Sequence, residues 1–153
     1  MSDAIQSNNR FNVESGWRVS VQVPADCEHT VFDAVLESTQ LRYGDYEAVT
    51  FSSAVGTQNF RSLGSGRNRP NQHNVKVPTV ELSFFFAGTA GELEQVIRAI
   101  YDTHPYEEPV VYVDRVDRTL HIRGIDEDNP NRFWNRSAAN EWVPHEFEMG
   151  TAP

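Results

Sequence analysis

Valines at 19, 21 and 23 alternate with Arg18, Ser20 and Gln22, the period of two that gives a strand one buried face. Pro24 ends that run. Asp26 stands where an N-cap would, ahead of a helix predicted from about Cys27 to Gln40, in which Val31, Ala34, Val35 and Ser38 follow helical spacing with Phe32 and Leu36 alongside. Beyond Gly44, the stretch from Tyr46 to Ser53 is rich in aromatic and β-branched residues and predicts a second strand. The third is plain in TVELSFFFAG: Val80, Leu82, Phe84 and Phe86 face one way, Glu81 and Ser83 the other. Thr89 and Glu92 make a capping box for a second helix, whose apolar stripe is Leu93, Val96, Ile97, Ile100 and Tyr101. Pro105 requires that helix to stop before it. Glu108 to Val116 reads as a fourth strand, and TLHIRG, after a turn at Asp117 and Arg118, as a short extra strand pairing with it.

The order β-α-β-β-α-β predicts an α+β, ferredoxin-like split βαβ fold, an antiparallel sheet with two helices on one face. In that topology the first and third strands are central and the second and fourth lie at the edges. Pro109, placed in the fourth strand, agrees with an edge position. Exposed edges favour pairing with further copies of the chain. Residues 1–16 are polar and aperiodic and are expected to be a flexible lead-in. Residues 17–124 form the domain. Residues 125–153 are an acidic tail that carries Phe133, Trp134, Trp142 and Phe147, side chains large enough to predict packing on the domain or on a neighbouring subunit.

Charge sharpens this picture at one place. The chain of 153 residues has a net charge of −9, from 13 Lys and Arg against 22 Asp and Glu, which argues against nucleic acid or an anionic membrane as partner. Yet Ser52 to Val80 contains no Asp or Glu, and Arg61, Arg67, Arg69 and Lys76 all fall there. Thirteen basic residues less these four leave 9 against 22 acidic ones, so the rest of the chain stands at −13. The same segment, GTQNFRSLGSGRNRPNQHNVKVP, is broken by glycine and proline and predicts a long loop, with room for a short hairpin. Small residues that let backbone N–H groups approach an anion, flanked by Arg61, Arg67, Arg69 and Lys76, make it a candidate site for a small anionic ligand or a protein partner. It is not a P-loop, since no G-K-[ST] follows. A basic loop lying on the acidic surface of a neighbouring subunit would explain the same residues.

The second candidate is THPYEEP, residues 103–109. An imidazole and two carboxylates, His104, Glu107 and Glu108, are suitable ligands for Zn²⁺ or Cu²⁺. In an extended segment, however, Glu107 and Glu108 point to opposite faces. The competing reading is a stiff corner, in which His104 ends the helix, Pro105 enforces the exit and Tyr106 packs down. Cys27 is the only cysteine, so neither a disulfide nor a cysteine-built zinc cage is available; no histidine base can be placed beside it. There is no apolar run of membrane-spanning length, and the opening MSDAIQSNN lacks the features of a secretory signal, so a cytoplasmic protein is expected.

Taken in order, YGDYEAVTFSS with GTQNFRS behind it, VPTVELSF, and AIYDTHPYEEPVVYV resemble the Nif-three-like family of NGG-interacting-factor proteins, the YqfO type. They look most like the CutA- and PII-like domain inserted in its longer members. The family pattern G-x-G-x-F is kept here at Gly56 and Phe60 but has Gln58 in the middle, and Ser62 replaces a usual proline. What the resemblance implies is a non-enzymatic regulatory domain that binds a ligand, a metal ion or a partner and assembles as an oligomer, a trimer by analogy. The CutA likeness adds copper to the candidate metals. The family's dinuclear-metal domain has no counterpart in these residues, so its hydrolase activity is not implied. Two alternatives stand beside this reading: a metal-dependent hydrolase with an inter-subunit site built from His104, Glu107 or Glu108 and His73, and an accessory subunit of a dinuclear-metal protein.

Overall fold

The computed structural model describes residues 3–136. Trp142 and Phe147 of the expected aromatic tail lie outside them. The chain divides into two compact units, Met1–Leu120 and His121–Pro153. The first holds β1 (Phe11–Pro24), α1 (Glu28–Ser38), β2 (Thr50–Ser52), β3 (Gly56–Phe60), β4 (Val75–Phe86), α2 (Ala90–Thr103) and all but the last residue of β5 (Val110–His121). The sheet runs β2-β4-β1-β5, with β3 also paired to β4. β1 and β4 are antiparallel from Trp17 opposite Phe86 to Pro24 opposite Thr79. Strands one and three of the expected pattern are thus central, and the fold is the ferredoxin-like α+β arrangement.

The alternation in β1 and β4 explains the core. Val19, Val21 and Val23 meet Val80, Leu82, Phe84 and Phe86 on one face, and Val31 and Val35 of α1 with Leu93, Val96 and Ile100 of α2 cover it. Removing this apolar surface from water is the main stabilising contribution. Tyr101, expected in the α2 stripe, is exposed instead, because at the edge of that stripe its ring reaches solvent. The α2 capping box forms as the sequence predicts: Thr89 N–H and hydroxyl both donate to Glu92, whose carboxyl is held below its ordinary range first by the backbone bond and then by the hydroxyl. Asp26 does not cap α1. Ala25–Cys27 form a 3₁₀ turn first, and Cys27 occupies the cap without a side-chain bond.

Four further boundaries differ from expectation. β1 begins at Phe11 rather than Trp17, because its first half runs beside β5, where the Ser15 hydroxyl donates to Asp117 and Arg118 pairs with Glu14. The extra strand does not form: Asp117 and Arg118 lie inside β5, which continues through Thr119 and Leu120 to His121. An Asp-Arg pair lacks the glycine that a tight two-residue hairpin turn favours, and both side chains are held by β1. Pro109 precedes β5 instead of lying in it. The second strand is shorter and split. Tyr43 and Tyr46 form an isolated bridge, and at Ser53 the hydroxyl, not the backbone, accepts from Glu81 N–H at 2.8 Å while Ser53 N–H donates to Glu81 O at 2.9 Å. Pairing with β4 resumes in β3, Gly56 opposite Thr79 to Phe60 opposite Val75. The hairpin for which the long loop had room therefore exists, and 61–74 is its connection.

Gly16 is buried where β1 passes β4. A Cβ there would stand 2.4 Å from the Phe85 ring and 2.5 Å from the Phe86 carbonyl oxygen. The ring can swing but the carbonyl belongs to the sheet, so Gly16→Ala is expected to cost about 1–2 kcal/mol by overpacking, read as a lower urea midpoint with an unchanged slope; an unchanged midpoint would contradict this account.

In the second unit, the described residues 121–136 bond locally. Arg132 pairs with Asp126 at 2.9 Å, Trp134 Nε1 donates to Glu127 O, and the Arg136 guanidinium lies over the Phe133 ring. Among the described residues no helix is long and apolar enough to cross a membrane.

Candidate functional site

α2 delivers the chain to His104, which is its C-cap and is buried. The imidazole is held from both sides. Nε2 lies 2.8 Å from the Gln22 carbonyl oxygen near the end of β1, and Nδ1 accepts the Tyr106 backbone N–H at 3.0 Å. One nitrogen must therefore accept and the other donate, which defines the neutral tautomer with its hydrogen on Nε2. Such a ring has no lone pair left for a metal. The bonds do what the corner reading requires: they lock the turn through Pro105 and tie the end of α2 to β1, 82 residues away.

Tyr106 carries the corner to the hairpin. Its ring meets Phe60 of β3 edge-on at 5.6 Å and the His104 ring at 5.3 Å. Desolvation first, and then Cys27 and Asp26 nearby, push the phenol up, so it stays neutral. The Cys27 thiol is also raised, by desolvation and then by Asp26, which favours the thiol over the reactive thiolate. Gln58 donates from Nε2 to Gln22 Oε1 at 3.0 Å, and its own side-chain oxygen, Oε1, is buried without a hydrogen-bond partner among the described residues. Gln22 thus joins β3 by its side chain and His104 by its backbone.

Next to Tyr106, the Glu107 carboxylate reaches the basic loop and accepts Arg67 N–H at 3.1 Å. The loop is internally organised. Ser62 and Asn71 bond reciprocally at its base, Asn71 N–H to Ser62 O at 3.0 Å and Ser62 N–H to Asn71 Oδ1 at 3.1 Å. The Ser62 hydroxyl donates to Asn68 O and accepts Gly64 N–H. Gly64 adopts φ +85°, where L side chains are strained, and packs on Pro70. This is a compact Ω-like loop with its ends together. Of the cations singled out in the sequence, Arg61 donates to Asn71 O. Among the described residues none of Arg61, Arg67, Arg69 and Lys76 forms an ion pair, and all four are exposed.

The structure therefore brings the two sequence candidates, basic loop and HPYEEP, to one place. It does not assemble His104, Glu107 and Glu108 around a common point: His104 turns inward, Glu107 turns to the loop and Glu108 is exposed. Among the described residues no group of three or more His, Cys, Asp or Glu side chains is disposed to hold a metal ion. His73 is exposed in the return arm of the hairpin connection. What the sequence did not reveal was Gln22, whose polar side chain and carbonyl organise the corner; its only signal is the outward position in β1.

No family model matches this chain, and no curated protein matches it. Among solved structures, a Bacillus cereus protein related to NIF3 is similar at TM-score 0.56 and 26% identity over 73% of this chain. This chain spans 28% of that protein's length. The divalent cation tolerance protein CutA1 of Thermus thermophilus aligns at TM-score 0.48 and 17% identity, over 67% of this chain and 84% of its own. CutA1 of a psychrotrophic Shewanella species aligns at 0.49 and 13%, over 67% and 81%.

Proposed function

We propose that this chain is a non-enzymatic binding domain of the Nif-three-like type that recognises a small anionic ligand, or an acidic partner, through the loop between Arg61 and Lys76. The carrying observation is the organised Ω-like loop whose three arginines, with Lys76 at the start of β4, form no ion pair among the described residues, on a protein of net charge −9. Guanidinium groups next to backbone N–H donors suit phosphate oxygens. Reversing two charges, Arg67→Glu with Arg69→Glu, is expected to weaken pyrophosphate binding at least about tenfold, the loss of one or two charge-assisted hydrogen bonds, measured by calorimetry with the oligomeric state followed by light scattering. Unchanged affinity would refute the anion reading. Dissociation of an oligomer would place the loop at a subunit contact.

Assembly belongs to the same reading. The sheet face away from the helices holds a shallow groove of about 420 Å³ lined by Arg18, Ser20, Glu81, Ser83, Tyr112 and Asp114, and the Phe51 ring is exposed. Covering this face and the edges in a trimer would bury them, and a solution mass near three times 17.4 kDa is the expected result.

A divalent metal, suggested by the name of the CutA1 proteins, does not fit His104, Glu107 and Glu108, because both imidazole nitrogens are spent on the chain's own bonds. The hydrolase alternative needs the same imidazole. The accessory-subunit reading is favoured by one fact, that the chain corresponds to 28% of a NIF3-related protein; stable co-purification with a separate metal-bearing protein is its test.

A further inference from the structure

Glu107 makes an unusual contact for a residue in a motif that invites a metal. Its Oε2 accepts Arg67 N–H at 3.1 Å and presses so close to Gly66 that a Cβ there would come within 2.6 Å of it. A negatively charged oxygen on a backbone N–H, beside a glycine that leaves room for it and in the loop whose sequence carries Arg61, Arg67 and Arg69, is where an oxygen of a bound phosphate would sit. We propose that Glu107 is an internal stand-in anion: it latches the basic loop to the 104–109 corner, and a phosphate-bearing ligand takes its place, so that binding and release of the latch are one event. This rests on the reading of the loop as an anion site.

The two sides of the latch differ in rigidity, and that difference gives it direction. The corner is held by both nitrogens of His104, by Pro105 and Pro109, and by Tyr106 against Phe60, so it keeps its shape when Glu107 lets go. The loop is fastened at its base by Ser62 and Asn71, with glycines at 64 and 66, so its tip is the part that moves. Glu107 is exposed and has one N–H partner, whereas a phosphate brings more charge and three acceptor oxygens. A tethered competitor lowers apparent affinity by the fraction of time it occupies the site. With a latch closed about nine-tenths of the time, its removal raises apparent affinity roughly tenfold by the same relation.

The experiment uses the full chain and two readouts. Trypsin reports the latch through the Arg67–Asn68 bond, since Arg69 is followed by Pro70 and resists cleavage. Calorimetry with inorganic pyrophosphate at fixed ionic strength reports the competition. Glu107→Gln keeps the shape and removes the charge; it should be cut several-fold faster than the parent and bind pyrophosphate about fivefold to tenfold more tightly. Gly66→Ala, which puts a methyl group where Oε2 lies, should also speed cleavage with Glu107 in place, and Glu108→Gln should change neither readout. Cleavage of Glu107→Gln at the parental rate would overturn the latch. Faster cleavage with equal or weaker binding would overturn the competition, leaving Glu107 as a prop for the loop. If neither protein binds pyrophosphate, the anion reading of the loop fails and the competition falls with it, while the cleavage rates still report whether Glu107 holds the loop.

Discussion

Replacing His104 with alanine is expected to lower the unfolding free energy by about 3 kcal/mol, the combined effect of two part-buried hydrogen bonds left half-made and a ring-sized void. The Gln22 carbonyl loses the Nε2 donor and the Tyr106 amide loses the Nδ1 acceptor. Tyr106 also loses a ring neighbour at 5.3 Å, which loosens its grip on Phe60. In a domain of this size the loss corresponds to a fall in Tm of roughly 10 °C. Urea unfolding is the first measurement, and a loss below about 1 kcal/mol would mean the corner is not held as described. The second distinguishes structure from metal chemistry. Nitrogen NMR of the native protein should show Nε2 carrying the proton and Nδ1 bare, and stoichiometric Cu²⁺ or Zn²⁺ should leave both signals in place. A metal-dependent shift of either would reinstate His104 as a ligand.

The ring was visible in the sequence, but its role was not, and the reason is the range of the interaction. Periods of two and 3.6 describe neighbours along the chain, so the alternating valines of β1, the phenylalanines of β4 and the Thr89–Glu92 box could be read directly. The competition between corner and metal depended on which groups meet the imidazole, and its decisive partner, Gln22, is 82 residues away. The gap in acidic residues marked the loop and the HPYEEP string marked the corner. Neither pattern shows that Glu107 and Arg67, 40 residues apart, are joined.

The misplaced strand boundaries have the same origin. FNVESG looked like a polar lead-in because its pairing partner is the distant Asp117–Arg118 stretch, and that stretch looked like a turn because its partner is FNVESG. Each segment is ordered by the other, so neither alone carries enough apolar alternation to declare itself. Ser53 shows a local version, where a hydroxyl takes over one rung of the ladder and splits a strand that composition would have kept whole.

That mutual ordering converges on Arg118, where the second large effect is expected. Its guanidinium pairs with Glu14 through two nitrogens, at 2.8 Å and 2.7 Å, and donates to the Arg42 carbonyl at 2.8 Å. It also lies 4.1 Å over the Phe85 ring and 4.7 Å over that of Tyr43, whose hydroxyl in turn reaches Thr119 O. One planar group thus joins β1, β4, β5 and the connection after α1. Arg118 is 10% exposed and Glu14 38%, so the pair is stronger than a surface bridge yet partly screened, and Arg118→Ala is expected to cost about 2 kcal/mol. Arg118→Lys should recover little, because an ammonium cannot serve a carboxylate, a carbonyl and two ring faces at once. In a double-mutant cycle with Glu14→Gln, the two losses should fall short of additivity by about 1 kcal/mol. Strict additivity would show that Arg118 acts through the Arg42 carbonyl and its packing on Phe85 and Tyr43, with no contribution from the Glu14 pair. If the pairing of β1 with β5 depends on this group, amide exchange in Arg118→Ala should quicken at residues 11–16 before it quickens at Val19 to Val23, because the latter also pair with β4.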